Sequence, residues 1–222
     1  MAWRVPALVA LVVGVLVVAL FLVVDRRSSA PVADAPSPSL SGRPVVAFVG
    51  DSYSAGSEAS SPDKRWTTVL SAERGWNEIN VAVPGMGYDV GRPTQHYVSQ
   101  VARAAASKPG TVIISGGWND VARGVPTATI VEGLRETLAA VKKHVPEARV
   151  VVIAPIGPAS SPPPDLVRLR DAAAPVVRSS GATWLDLDFP LTGHPEWISP
   201  DGLHPNDAGY KRLAELTNAR LK

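Results

Sequence analysis

The chain has 222 residues, of which 45% are hydrophobic and 19% are charged, a composition typical of one folded domain with a short appendage. It contains no cysteine, so disulfides, thiolate metal sites and a cysteine nucleophile are excluded. The formal net charge of +2 arises before Pro44, and the rest of the chain is balanced and has no run of Lys or Arg. Nucleic acid is therefore not expected as a partner.

The first feature along the chain is an uncharged apolar stretch at residues 5–24. At about 1.5 Å per residue, a helix of this length spans roughly 30 Å, the thickness of the bilayer hydrocarbon. Charged residues follow it directly at 25–27. The pattern predicts a membrane anchor within residues 1–27. A cleaved signal peptide is the alternative, because small residues around 28–30 and 33–35 offer cleavage sites.

A linker separates this segment from the folded domain. Residues 28–43 are rich in Pro, Ala and Ser and show no apolar periodicity. This composition predicts an extended linker that holds a domain away from a membrane surface. The domain itself is expected to cover residues 44–222.

Short apolar runs in this domain alternate with helical patterns. Because the runs are continuous rather than alternating, they predict strands buried on both faces, as in a parallel sheet. The predicted strands cover residues 45–49, 112–114, 150–154 and 182–187, with a weaker one at 79–83.

Two helices have the clearest sequence signals. Apolar residues recur at helical spacing from Ile130 to Val145 and stop before Pro146. The last helix is expected to follow Pro205, a residue that suits a first helical turn. Five strands alternating with helices predict an α/β fold, a three-layer α/β/α sandwich around a five-stranded parallel, flavodoxin-like sheet. Ligands of such sheets bind at the carboxyl ends of the strands.

Chemically capable residues follow the predicted strands at that edge. Gly50-Asp51-Ser52 comes after the first strand, residues 84–87 follow the second, and residues 116–120 follow the third. A further polar motif, at residues 201–204, precedes the last helix. The sequence therefore predicts an active site where these segments meet.

Ser52, His204 and Asp201 are the candidate catalytic residues. A serine hydroxyl is a weak nucleophile at neutral pH and needs a base such as an imidazole. The imidazole in turn needs a carboxylate that fixes its tautomer and stabilises its cation. His204 is the candidate base, and Asp201, three residues before it, is the candidate orienting acid.

Acyl transfer also needs fixed hydrogen-bond donors for the developing oxyanion. The candidates are the backbone amides of Ser52 and Gly85 and the side-chain amide of Asn119. A glycine at position 85 allows its amide to approach a substrate without a Cβ in the way.

Together, these motifs resemble the four sequence blocks of the SGNH (GDSL) hydrolase family. They occur in order as Gly50-Asp51-Ser52, Gly85, Gly117-Trp118-Asn119-Asp120 and Asp201-Gly202-Leu203-His204. The resemblance implies Ser52 as nucleophile, His204 as base, Asp201 as orienting acid, and an oxyanion hole of Ser52, Gly85 and Asn119. It implies no cofactor and no metal. Family members are mostly exported, so the domain is expected outside the cytoplasmic membrane, anchored there or secreted after cleavage.

Several neighbouring residues admit two interpretations. Trp118 and Trp197 lie close in sequence to the motifs, and each is expected either to pack or to contact substrate. His194 lies in a loop that is expected to border the site. Asp51 and Asp120 are expected to bind backbone amides and set turns rather than to act in the chemistry.

The resulting prediction is a serine esterase that cleaves carboxylic esters, with short acyl groups or envelope-bound substrates, through an acyl-enzyme. Its partners would be a lipid or O-acylated glycan ester and the membrane, and a monomer is expected. An O-acyltransferase acting on cell-envelope glycans with the same triad is the enzymatic alternative, and a membrane-anchored binding module is the non-enzymatic one. Two further alternatives are a metal cluster of His194, His204 and Asp201, and a dinucleotide loop at residues 85–91, whose glycine spacing is one residue too long.

Overall fold

The computed structural model describes residues 42–158 and 161–222. The predicted membrane anchor, the cleavage sites and all of the predicted linker before residue 42 lie outside this part of the chain. Among the helices that the structure describes, none is both long enough and apolar enough to cross a membrane.

The described chain alternates strands with helices along its length. The strands are β1 Val45–Gly50, β2 Asn77–Asn80, β3 Thr111–Ser115, β4 Arg149–Ile153 and β5 Thr183–Leu185. The α-helices are α1 Ser52–Ala55, α2 Trp66–Arg74, α3 Tyr97–Ala104, α4 Trp118–Ala122, α5 Thr127–His144, α6 Pro164–Ser179 and α7 Asp207–Arg220.

The strands form one five-stranded sheet in the order β2-β1-β3-β4-β5. Each pair of neighbours is parallel, and the order is that of flavodoxin-like sheets. The α/β fold with a five-stranded parallel sheet is therefore confirmed. All strands end at one edge of the sheet, called the carboxyl edge below, and all begin at the opposite edge.

The second strand begins earlier than its apolar residues predicted. It covers Asn77–Asn80 rather than residues 79–83, because an edge strand needs apolar side chains on only part of its surface. Its hydrogen bonding continues past its end, since Val81 N donates to Phe48 O (3.0 Å) and Val83 N donates to Gly50 O (3.1 Å). The following loop therefore leaves the sheet beside the end of β1.

Two layers of helices cover the sheet. Alternate strand residues face the layer of α3, α5 and α6, among them Ala47, Val49, Val112, Ile114 and Val152. The residues between them face α2 and α7, among them Val46, Phe48, Ile113, Val151 and Ile153. Trp66, which is 1% exposed, packs edge-on against Phe48 in the second layer with 5.4 Å between ring centroids. Both faces of the sheet are therefore buried, as continuous apolar runs require.

The last helix follows Pro205, as expected. Asn206 is its N-cap and accepts a hydrogen bond from Gly209 N (3.1 Å), so Pro205 lies before the helix and not in its first turn. Pro205 instead forms an isolated antiparallel bridge with Ile198. The reason is that an asparagine side chain can satisfy the first helical amides, which a proline ring cannot do. The long helix α5 ends at His144, before Pro146, as predicted.

Candidate active site

The end of β1 turns sharply into the short helix α1, and Ser52 is the first residue of that helix. Gly50 makes the turn possible, because a Cβ there would lie 2.5 Å from Ser54 Oγ and 2.7 Å from Ser115 O. The amide of Gly50 donates to the buried side-chain oxygen of Gln100 (2.8 Å). Ser52 is therefore held at the carboxyl edge of the sheet, where it is 8% exposed.

Asp51 caps helix α1 from inside the protein. Its Oδ1 accepts a hydrogen bond from Tyr53 N (3.0 Å), and the residue is only 4% exposed. Burial raises the pKa of this carboxyl to about 6, although the bonds from Tyr53 N and from the Tyr97 hydroxyl oppose the rise. The expectation that Asp51 binds a backbone amide agrees with this geometry.

The Tyr97 hydroxyl lies where the first three motifs meet. It is 3.3 Å from Asp51 Oδ2 and 3.5 Å from Met86 O. A Cβ at Gly116 would stand 1.8 Å from this hydroxyl, so the glycine directly before the third motif makes room for it. This contact could not be predicted from the sequence, because Tyr97 occupies an ordinary apolar position of α3.

The three candidate oxyanion donors lie on these same motifs. Within the described residues, the backbone amides of Ser52 and Gly85 donate to no backbone carbonyl, so both can donate to a ligand. Gly85 has φ +76°, a conformation that favours glycine. Asn119 Nδ2 donates to Met86 O (2.9 Å), which fixes the amide and leaves its second hydrogen available.

Asp120 shapes the loop that carries Gly85. Its carboxylate is fully buried and accepts the backbone amides of Tyr88, Asp89 and Val90, each at 2.9 Å. These three donors use most of the hydrogen-bonding capacity of the carboxylate. Asp120 therefore binds backbone amides, as expected, and holds residues 87–90 in place.

Asp201 and His204 form a close pair on the loop before α7. His204 Nδ1 lies 2.5 Å from Asp201 Oδ2, while Asp201 Oδ1 accepts the backbone amides of Leu203 (2.9 Å) and His204 (3.0 Å). Burial would raise the pKa of Asp201, but the bonds from His204 and the two amides outweigh it and lower this pKa to about 2. Asp201 is therefore an anion throughout the neutral range, and Nε2 is the histidine nitrogen left for chemistry.

Tyr53 connects this loop to the nucleophile segment. Its hydroxyl donates to Leu203 O (2.6 Å), and its ring meets the His204 imidazole edge-on at 5.8 Å. Among the described residues, no hydrogen bond joins Ser52 Oγ to His204, and in an unliganded site such bonds are often long until substrate binds. The structure thus brings Asp201 and His204 together. Tyr53, the residue next to Ser52, binds the loop that carries both.

His194, Trp197 and Trp118, the three residues expected to contact substrate, lie in two separate places. His194 stacks on Trp197 with 3.8 Å between ring centroids, and its Nδ1 lies 2.9 Å from Glu196 Oε1. Trp118 is the first residue of α4 and is half-buried. The described residues include no group of His, Asp and Glu that could hold a metal ion, and His194 pairs with Glu196 rather than with Asp201.

Comparisons with known proteins agree with this fold and these motifs. The model of the GDSL-like Lipase/Acylhydrolase family matches residues 48–212. The GDSL lipase Rv0518 of Mycobacterium tuberculosis is 33% identical to this chain over 182 residues, which cover 77% of this chain and 78% of that protein.

Two solved structures are similar in fold at low identity. The carbohydrate acetylesterase Est24 from Sinorhizobium meliloti has a TM-score of 0.62 at 19% identity, over 81% of this chain and 98% of that one. The psychrotrophic esterase EstA from Pseudoalteromonas sp. has a TM-score of 0.64 at 16% identity, over 80% and 96%. The fold and the matched family define this chain as a serine hydrolase that acts on esters. The chain belongs to the GDSL-like lipase/acylhydrolase family.

Replacing Asp51 with asparagine is expected to stabilise the fold at alkaline pH. The pKa of Asp51 rises from 3.8 to about 6 on folding, so its contribution favours the folded state below about pH 4 and is lost as pH rises through 6. Asparagine keeps the cap without a buried charge. Thermal unfolding of Asp51→Asn should show a gain of up to about 3 kcal/mol over wild type at pH 8 and little gain at pH 4. Equal gains at both pH values would contradict a buried ionised carboxylate.

Removing the Tyr53 hydroxyl is expected to lower turnover by disturbing the His204 loop. Tyr53→Phe should lose roughly 1 kcal/mol of stability and about tenfold or more in kcat, with KM almost unchanged. Tyr210→Phe is a matched control, because its hydroxyl also donates to a backbone carbonyl at 2.6 Å, that of Ser57. If ester hydrolysis falls equally in both variants, Tyr53 does not position the histidine loop.

Proposed function

We propose that the chain is an esterase in which Ser52, His204 and Asp201 act as a catalytic triad. The observation that carries the proposal is the Asp201–His204 pair, at 2.5 Å, attached by Tyr53 to the segment that presents Ser52. The pair supplies what a weak serine nucleophile needs, namely a base and a carboxylate that orients it.

In this mechanism Ser52 Oγ attacks the carbonyl carbon of the ester, and His204 Nε2 takes the hydroxyl proton. Asp201 stabilises the imidazolium that forms. The tetrahedral intermediate collapses when His204 returns the proton to the leaving alcohol, which produces an acyl-Ser52 ester. Water, deprotonated by the same histidine, then releases the acid and regenerates Ser52.

The negative charge of the tetrahedral intermediate would be held by three donors. They are the amides of Ser52 and Gly85 and the second amide hydrogen of Asn119. Because Asn119 is already bound to Met86 O, its donor is oriented before substrate arrives, and such preorganised donors lower the barrier most. Loss of one such donor costs about 10² to 10³ in kcat in comparable sites.

Exposure of the site supports small acyl groups on large or immobilised substrates. The Asp201 and His204 side chains are 34% and 18% exposed, so the site is shallow on this side. A shallow site contacts little of a long acyl chain but admits a bulky alcohol portion. A protein of the same fold, Est24, is described as a carbohydrate acetylesterase, and an O-acylated envelope glycan or a lipid ester is the substrate class we propose here.

We further propose that residues 5–24 anchor the chain in the cytoplasmic membrane, with the domain outside. The support is the length of the uncharged stretch, which matches the thickness of the bilayer hydrocarbon. The linker at residues 28–43 would then allow the domain to reach substrates in the envelope.

Removing the nucleophile is expected to abolish hydrolysis of para-nitrophenyl acetate by the purified full-length chain. Ser52→Ala should lower kcat by about 10⁴ to 10⁶. The control is Ser54→Ala, which deletes a nearby buried hydroxyl that has no hydrogen-bond partner and should leave turnover unchanged. The turnover of para-nitrophenyl acetate should exceed that of para-nitrophenyl octanoate. Residual turnover in Ser52→Ala close to wild type would exclude the proposed nucleophile, and a folded but inactive wild type that acylates an added glycan would indicate a transferase.

A charge in the apolar stretch is expected to release the chain from membranes. Arginine at the centre of a membrane helix costs about 3 kcal/mol on insertion scales, so Leu16→Arg should weaken retention of the protein in alkali-washed membranes. Val32→Arg, in the predicted linker, is the control and should be retained. Intact mass is the second measurement, because a mature chain that lacks the apolar stretch would favour a signal peptide over an anchor.

A further inference from the structure

Charge in the domain is separated between the two edges of the sheet, although its sum is close to zero. The edge at which the strands begin is formed by the segment before β1 and by the segments that lead from a helix into β3, β4 and β5. We call this edge the base surface, and we define it by its cations: Arg43, Lys108, Lys142, Lys143 and Arg149.

Most of these cations have no acidic partner. Within the described residues, Arg43, Lys108, Lys142 and Lys143 form no ion pair. Arg149 Nη1 donates to the main-chain oxygen of Lys222 (2.5 Å). The acids at this edge are Glu147, which is exposed, and Glu73, which accepts a bond from Asn218 (3.0 Å). The base surface is therefore strongly positive.

The carboxyl edge has the opposite character. The acids that its loops expose at least in part are Asp89, Asp186, Asp188, Glu196 and Asp201. Three cations lie in or beside these loops. Arg92 pairs with Asp89, Arg123 donates to Gly85 O, and Arg170 lies 4.0 Å from Asp186 and 3.7 Å from Asp188. The active-site edge is thus unsuited to an anionic surface, whereas the base surface is suited to one.

A groove of about 630 Å³ opens at the base surface between α5, α6 and the starts of β4 and β5. Its walls include the apolar side chains of Leu138, Val145 and Val176. Its cations are Lys142, Arg149 and Arg135. Apolar walls beside cations are the complement of a lipid, which presents an acyl chain beside an anionic headgroup.

The chain before residue 42 is joined to the domain at this same edge. Pro44 O accepts a hydrogen bond from Asn77 N (2.8 Å), and Val45 O accepts one from Gly110 N (2.9 Å), so β1 starts level with β2 and β3. A tether that leads from a membrane anchor therefore reaches the domain at the base surface and not at the catalytic edge.

We propose that the base surface binds the anionic lipid surface of the membrane, so that the catalytic edge faces away from it. The inference rests on the proposed anchor for the position of the tether, and its own support is the charge and the groove. Because the site then opens toward the envelope, it favours O-acylated envelope glycans over esters in the bilayer as substrates.

The orientation can be measured on the full-length chain. Because the chain contains no cysteine, one introduced cysteine carries the only thiol-reactive fluorescent label. Ser107→Cys places the label beside Lys108 on the base surface, and Thr94→Cys places it in the exposed loop after β2 at the carboxyl edge. The chain is added to phosphatidylcholine vesicles with a headgroup quencher, with or without phosphatidylglycerol. Quenching of the label at 107 should require phosphatidylglycerol and decline at high salt, while the label at 94 stays bright.

A charge reversal then tests which cations are responsible. The triple variant Lys108→Glu, Lys142→Glu, Lys143→Glu should lower the membrane-facing population by about 100-fold or more, since each lysine near an anionic surface contributes roughly fivefold. The matched control reverses Lys64, Arg168 and Lys211, which pair with Asp63, Asp165 and Glu215. This control changes the net charge equally and should leave the quenching at 107 intact.

The outcomes separate this inference from the proposed anchor. Flotation of the vesicles after a high-salt wash reports anchoring alone, and quenching at 107 reports the base surface whether or not the chain is anchored. Quenching that ignores phosphatidylglycerol, that is equal at 94 and 107, or that falls equally in both charge-reversed chains overturns the inference. Binding to soluble polyphosphate without any effect of lipid would assign the surface to an anionic polymer and would also overturn it.

Discussion

Parallel pairing of all five strands is the constraint on which the rest of the structure depends. Parallel strands cannot turn back directly, so each is followed by a helix that returns the chain to the starting edge. Every segment after a strand therefore lies at the carboxyl edge, and every segment before a strand lies at the opposite one. Motifs separated by up to 150 residues, such as Ser52 and Asp201, come together for this reason, and the cations that precede the strands also collect.

The carboxyl edge is held together by buried polar contacts more than by its reactive groups. Tyr97 touches both Asp51 and Met86, Asp120 accepts three amides of the next loop, and Tyr53 fixes the carbonyl of Leu203. Each of these groups is oriented by bonds that exist without substrate. The donors proposed for the oxyanion are consequently fixed before the reaction, which is the condition under which they contribute most.

The sequence predicted the fold and the motifs because both depend on local patterns. Continuous apolar runs identify buried strands, and a motif can be read wherever its residues are adjacent. It failed at the start of β2, which follows from the position of that strand at the edge of the sheet. It also missed the N-cap of α7, although the contact of Asn206 with Gly209 N is local. Tyr97 was missed since nothing in the sequence of α3 shows that a hydroxyl there meets Asp51, 46 residues away.

The net charge of the domain after Pro44 is close to zero, yet the domain carries a positive base surface. Counting residues gives no net charge, and the absence of a basic run argues against a nucleic-acid partner, because the cations are spread along the chain in separate loops. The parallel topology places those loops on one edge and the carboxylates of the active site on the other. A domain whose charges are separated in this way can orient near an anionic surface although its net charge is close to zero, and this is the physical basis of the orientation proposed above.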